Sequence, residues 1–194
     1  MLRSGRTDDA VRLLGQAHDL NEANHLADPE NAGFKRALGH ALYYLGVARD
    51  EAAQPNDALV LVERSRVLRQ EMVQASPDSA NKVNLMLSLG RLGNKEAALP
   101  LVEELGATPT KNPDLRIDLA RTLAQLSKAV TEGDQRTQLV DRGIAWLERA
   151  VEDGLSDPYA LTSEVDLKPL RDHPKMAQLV EQLRTGMQGP EVAK

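Results

Sequence analysis

Three side chains early in the chain have a spacing that could do chemistry. His18, Glu22 and His25 fall four and then three residues apart. On a helix they share one side, where two imidazoles and a carboxylate could ligate a divalent metal. Neither an HExxH motif nor a fourth ligand accompanies them. They read as the solvated flank beside an apolar face through Ala10, Leu14 and Ala17, and no metal or cofactor is expected. Nucleophilic catalysis has no better footing, because the chain has no cysteine and no Ser, His and Asp fall in a triad motif. Phosphoryl transfer would need a glycine-rich phosphate loop, a catalytic-loop Asp and a metal-binding Asp, and those motifs are missing too. Paired acids such as Asp8–Asp9 and Glu103–Glu104 read as solvated charges. His173, just before Pro174, suits a helix cap. The chain is therefore expected not to be an enzyme.

Composition narrows the classes further. Hydrophobic residues make up 41% but aromatics only 3%, so a core must be built from Leu, Ala and Val, which suits close helix packing. Ala, Leu, Glu, Gln and Arg all favour helix. The net charge is −5 with no basic cluster, so no nucleic-acid partner is expected. Without cysteine there is no disulfide framework and no Cys-ligated metal. The longest purely apolar run is Ala58–Val62, far below the roughly 20 residues of a membrane span, and no signal-peptide core is visible at the start. A cytoplasmic location without membrane association is expected.

The elements that would carry any site are helices throughout. Apolar residues recur at helical spacing over 7–27, with Asp28 expected to cap the next helix and Pro29 to open it. A helix over 30–52 has its buried face marked by Phe34, Leu38, Ala41, Leu42 and Leu45, and Gly46 permits close approach of another backbone. Helices follow over 55–75 and in the hairpin 81–105, which turns at Gly93-Asn94. Two more span 113–131 and 135–153, with Asn112-Pro113 as a cap and first turn. After Gly154 come a short turn, an irregular packed loop and an amphipathic helix over 174–185. The final GPEVAK should be mobile. No stretch combines alternation with β-branched residues and hairpin turns.

The second helices share a register. Gly5, Ala10, Leu14 and Ala17 have the spacing of Gly93, Ala98, Val102 and Leu105, and Ala58, Val62, Ser65 and Gly143, Leu147, Ala150 fit the same frame. First helices agree less tightly, Leu42, Leu45 and Gly46 matching Lys82, Leu85 and Met86. This pattern resembles the tetratricopeptide repeat, W-x2-L-G-x2-Y, then A-x3-F, then P, over residues 1–153. No unit carries the Trp, and Arg49 stands where one Tyr would be. Ala10, Ala58, Ala98 and Gly143 are 48, 40 and 45 apart, longer than that family's usual period, so longer helices and loops are implied. A HEAT-like array is the alternative. The resemblance implies an all-α, right-handed solenoid with a half repeat at 1–28, pairs at 30–76, 78–106 and 113–153, and a capping segment at 154–186 before the tail 187–194.

The closing stretch resembles the ends of repeat arrays in bacterial proteins, many attached downstream of serine/threonine kinase domains. Gly154, Asp157, Asp166, Leu167, Pro169, Leu170 and Pro174 carry that likeness. It implies a non-catalytic interaction scaffold at the C-terminal end of a longer signalling protein, with a protein or peptide partner. A small-molecule or peptide sensor with a pocket in the array is the alternative. Within such an array a partner groove is expected along His40, Tyr43, Val47, Asp50, Val83, Leu87, Arg91 and Arg121. Family members that grip a terminal carboxylate place Lys and Asn on these faces. Tyr43, Val47, Val83 and Leu87 stand there instead, so that clamp is not expected. Leu13 and Leu14 have no first helix to cover them, which implies a monomer or weak self-association through this end.

Overall fold

The computed structural model describes residues 2–131 and 133–187, and the side chains of 6–131 and 133–186. Among the described residues the fold is entirely helical. Helices α1 (Leu2–Ala27), α2 (Ala32–Glu51), α3 (Pro55–Ala75), α4 (Ser79–Arg91), α5 (Lys95–Gly106), α6 (Pro113–Lys128) and α7 (Asp134–Glu152) are followed by a short α8 (Tyr159–Ser163), a 3-10 turn (Val165–Leu170) and α9 (Pro174–Met187). None of them is long and apolar enough to cross a membrane. The expected mobile tail GPEVAK lies outside the described residues.

The chain divides into two compact units, Met1–Ser88 and Leu89–Lys194, so the boundary falls inside α4 and within the pair read as 78–106. In the first unit α2 packs on both α1 and α3. Its core is Leu38, Leu42, Leu45, Ala58, Val62 and Met72, joined by Leu85 and Met86 of α4. Gly46 sits where α2 and α3 cross most closely: a Cβ there would meet Val62 Cγ2 at 2.6 Å and the Ala58 carbonyl oxygen at 3.1 Å. The turn between these helices uses Ala53 at φ 58°, a left-handed conformation that costs a non-glycine residue about 1 kcal/mol.

In the second unit α6 is buried almost all round from Leu115 to Ser127. It packs on α7, α5 and the 3-10 turn. Ala120, Ala124, Ile144 and Leu147 meet Leu161, Leu167, Leu170 and three turns of α9 in one apolar cluster. The closing segment thus covers the α6–α7 pair with side chains that are themselves fully buried. The α4–α5 turn depends on glycine: Gly93 has φ 69°, its N–H donates to Gly90 O, and the N–H of Asn94 donates to Leu89 O at 2.9 Å.

The starts of helices α1 and α2 depart from expectation. Helix α1 begins five residues earlier than the apolar periodicity indicates, because polar residues extend a helix as readily as apolar ones. Helix α2 is capped by Asn31, whose side chain accepts from Gly33 N and Phe34 N, not by Asp28. Asp28-Pro29 instead forms a turn closed by the N–H of Asn31 donating to Asp28 O at 3.2 Å, with proline at its favoured second position. Helix α5 runs through Pro100. The missing N–H would have served Glu96 O, and both residues are exposed, so water takes that carbonyl.

Candidate functional site

Tyr43 and Tyr44 are adjacent in sequence, and helix geometry sends them to different places. Tyr43 is 1% exposed. The Arg69 guanidinium lies over its ring, 4.5 Å from the centroid. Arg69 also donates through Nη1 to Asn84 O at 2.7 Å and Ser88 Oγ at 2.9 Å, while Ser65 Oγ donates to Gly39 O. This buried polar cluster ties α2, α3 and α4 together. Tyr43 therefore corrects the expected groove: it is a packing residue under the surface.

Tyr44 is 47% exposed and stands edge-on against Tyr43, ring centroids 5.3 Å apart. His40, Val47 and Asp50 on the same helix are partly exposed. The spacing 40, 44, 47 puts His40, Tyr44 and Val47 on one face. Val83 of α4 is partly exposed too, whereas Leu87 is buried and is a second correction. The Asn84 side chain hydrogen-bonds the His40 ring, and burial, then the Arg69 charge, hold that imidazole below its ordinary 6.5. The surface that remains is an aromatic ring flanked by a neutral imidazole and a valine, set on a helix rigidified from beneath.

Arg91 and Arg121 are the third and fourth corrections. Asp166, on the 3-10 turn, has a fully buried carboxylate. Arg91 Nη2 approaches its Oδ1 at 3.2 Å and Arg121 Nη2 its Oδ2 at 2.9 Å. Arg121 also donates to Asp118 Oδ1 at 2.9 Å, and Glu164 lies 3.7 Å from its Nε. Gln125 Nε2 donates to the Asp166 carbonyl oxygen at 2.9 Å. Burial pushes the Asp118 carboxyl above the usual range, and the Arg121 charge pulls it partly back. These arginines hold the closing segment down and do not face a ligand. Asp166 lies against two guanidiniums, while Leu167 and Leu170 enter the core, Leu170 against Gly143.

His18, Glu22 and His25 do not converge. Glu22 accepts from Arg64 of α3 at 2.6 Å, which holds its carboxyl below the usual range. His18 Nδ1 pairs with Asp19 at 3.0 Å, and its Nε2 is 3.8 Å from Glu22. Among the described residues no group of three or more His, Asp or Glu side chains is placed to hold a metal ion. His173 caps α9, its Nδ1 accepting from Lys175 N, and its Nε2 lies 3.3 Å from Asp141. The guanidiniums of Arg116 and Arg149 lie over the Trp146 ring, 5.2 and 4.6 Å from its centroid, and the ring fills the space beside Gly106, a packing role.

Several depressions among the described residues are open to solvent, and two of them have largely apolar walls. One, of about 410 Å³, is lined by Leu161, Met176, Val180, Arg171, Glu181 and Arg184. The other, of about 270 Å³, runs between α1 and α3 over Leu38, with Glu22, His25, Arg64 and Val67 on its walls. Both are open grooves and do not enclose a ligand-sized volume.

Sequence reasoning missed Arg69, although the periodicity contained it. Ala58, Val62, Ser65, Arg69 and Met72 follow one buried line at spacings of four and three, so a charged residue in that register signals an internal polar cluster. No family model, curated protein or solved structure matches this chain.

Proposed function

We propose that the chain is a non-catalytic protein-interaction module: a right-handed, tetratricopeptide-like helical array at the C-terminal end of a larger signalling protein, such as a bacterial serine/threonine kinase. A peptide or helix of the partner docks on the α2 face of the first unit, with Tyr44 as the anchor, Val47 as an apolar neighbour and the partly exposed His40 ring beside them. The observation that carries this reading is the exposure of Tyr44 directly above the Tyr43–Arg69 cluster. Aromatic rings on rigid supports lose little entropy on binding and are frequent anchors. The array reading draws support from the shared register of the second helices. Ala58, Val62 and Ser65 are buried in α3, Ala98, Val102 and Leu105 in α5, and Gly143, Leu147 and Ala150 in α7. Small residues at the first of these positions are what close helix crossings require.

Selection of peptides from a displayed library against the immobilised chain tests this. Binders are expected whose affinity falls about tenfold or more on Tyr44→Ala, with thermal stability unchanged. Binders indifferent to both Tyr44→Ala and Val47→Asp would contradict the reading.

A further inference from the structure

Helix α1 differs from the other second helices in one respect. Ala10, Leu14 and Ala17 occupy the frame that is fully buried in α3, α5 and α7, yet in α1 they are only partly buried. Beside them runs a line of exposed residues: Asp9, Leu13, Gln16, Leu20, Ala23 and Ala27, each exposed, with Leu13 at 54% and Leu20 at 64%. Their alternating spacing of four and three is that of a helix seam made to meet another helix. Arg12 and Asp19, seven residues apart, border this seam on the same edge.

We infer that two copies of this chain pair through α1, antiparallel, about a two-fold axis at Gln16. The seam is complementary to itself only in that direction. Turned end for end about Gln16, Leu13 of one copy meets Leu20 of the other, and Arg12 reaches Asp19 of the other, twice by symmetry. Asp9 then lies near Ala23 of the second copy, and the two Gln16 amides face each other and fix the register, as buried amides do in coiled coils. A parallel pairing would place the Arg12 and Asp19 side chains of the two copies on opposite edges of the seam, where neither ion pair forms, and would set Asp9 against Asp9. The present partners are weak competitors: Arg12 pairs with Asp9 at 3.2 Å in an exposed contact, worth little in water, and Asp19 pairs with the His18 ring of its own helix. One helix face from each copy lies at the low end of stable interfaces, about 1,200 Å² in total, so the dimer is expected to dissociate reversibly on dilution. This pairing is independent of the α2 face: a monomer would leave ligand binding there intact, and failure to find a ligand would leave the dimer standing.

Sedimentation equilibrium of the full chain tests it. A reversible dimer is expected, converted to monomer by Leu13→Glu with Leu20→Glu while helical circular dichroism and thermal midpoint stay unchanged. Arg12→Glu should weaken the dimer about tenfold, and Asp19→Arg in the same chain should restore it. Because the chain has no cysteine, single substitutions report geometry. Gln16→Cys is expected to form disulfide-linked dimers under mild oxidation, and Asp9→Cys is not, its counterpart lying about 21 Å away at 1.5 Å per residue. A chain that stays monomeric, a dimer that survives the two glutamates, or linkage through both cysteines would each overturn the inference.

Discussion

Replacing Asp166 by Asn changes one charge and almost no volume. The side chains of Arg91, Arg121 and Asp166 are 6%, 9% and 1% exposed, so water cannot take over the lost interaction. Removing one partner of a buried ion pair costs about 3–5 kcal/mol, because the remaining charge is left in a medium of low polarity. Two features of this site adjust that figure in opposite directions. Arg121 keeps Asp118 at 2.9 Å and Glu164 at 3.7 Å, which lowers the cost. The new amide would turn either its oxygen or its N–H group toward each guanidinium, so it cannot present oxygen to both, which raises it. We expect a loss of about 3 kcal/mol for Asp166→Asn, a large share of the roughly 5–15 kcal/mol that holds a domain together. Urea unfolding followed by fluorescence reads this out locally, since the single tryptophan, Trp146, belongs to the same unit. Asp172→Asn, at an exposed position of the same segment, should shift stability by no more than about 0.5 kcal/mol. A change of under about 1 kcal/mol for Asp166→Asn, on the scale of a surface pair, would refute the view that this carboxylate anchors the closing segment.

Further expectations concern the first unit. Ala53→Gly should stabilise it by about 1 kcal/mol, relieving the left-handed strain at φ 58°; thermal melts showing a loss would contradict the turn geometry. Gly46→Ala should do the reverse. Overpacking against Val62 and the Ala58 carbonyl costs about 1–3 kcal/mol, and the gain in helix propensity returns only about 1, so a raised melting temperature would show that α2 and α3 do not cross there. The His40 imidazole should titrate below its ordinary 6.5. As pH falls the unfolded chain takes the proton first, so this group's contribution to stability is present above 6.5 and is lost as pH drops through the folded value. Ring-proton NMR of the four histidines checks it: a low-midpoint signal that disappears in His40→Asn is expected, and a His40 midpoint at or above 6.5 would contradict the packing against Arg69.

Much of the helical frame was legible because punctuation and periodicity agreed. Pro55 and Ser76-Pro77 bracket a helix found at Pro55–Ala75, and Asn112-Pro113 opens α6 as its side chain and ring dictate. The register through Ala58, Ala98 and Gly143 identified the buried lines of three helices. Local rules failed where two capping signals lay close together: Asp28 and Asn31 both suit a cap, and only the chain path chooses between them. The site was less legible than the frame. A helical wheel separates Tyr43 from Tyr44 by about 100°, but not which of the two is covered by Arg69, 26 residues further on in the case of Tyr43. Arg121 reads as a surface charge until Asp166, 45 residues away, is folded onto it.

The proposed α2 surface is most directly tested by mapping a selected peptide on the chain by amide chemical shifts. We expect the largest changes along α2 from His40 to Asp50 and around Val83, with the Tyr44 ring giving contacts to the peptide. Changes centred instead on Leu161, Met176 and Val180 in the closing segment, with α2 unmoved, would contradict it.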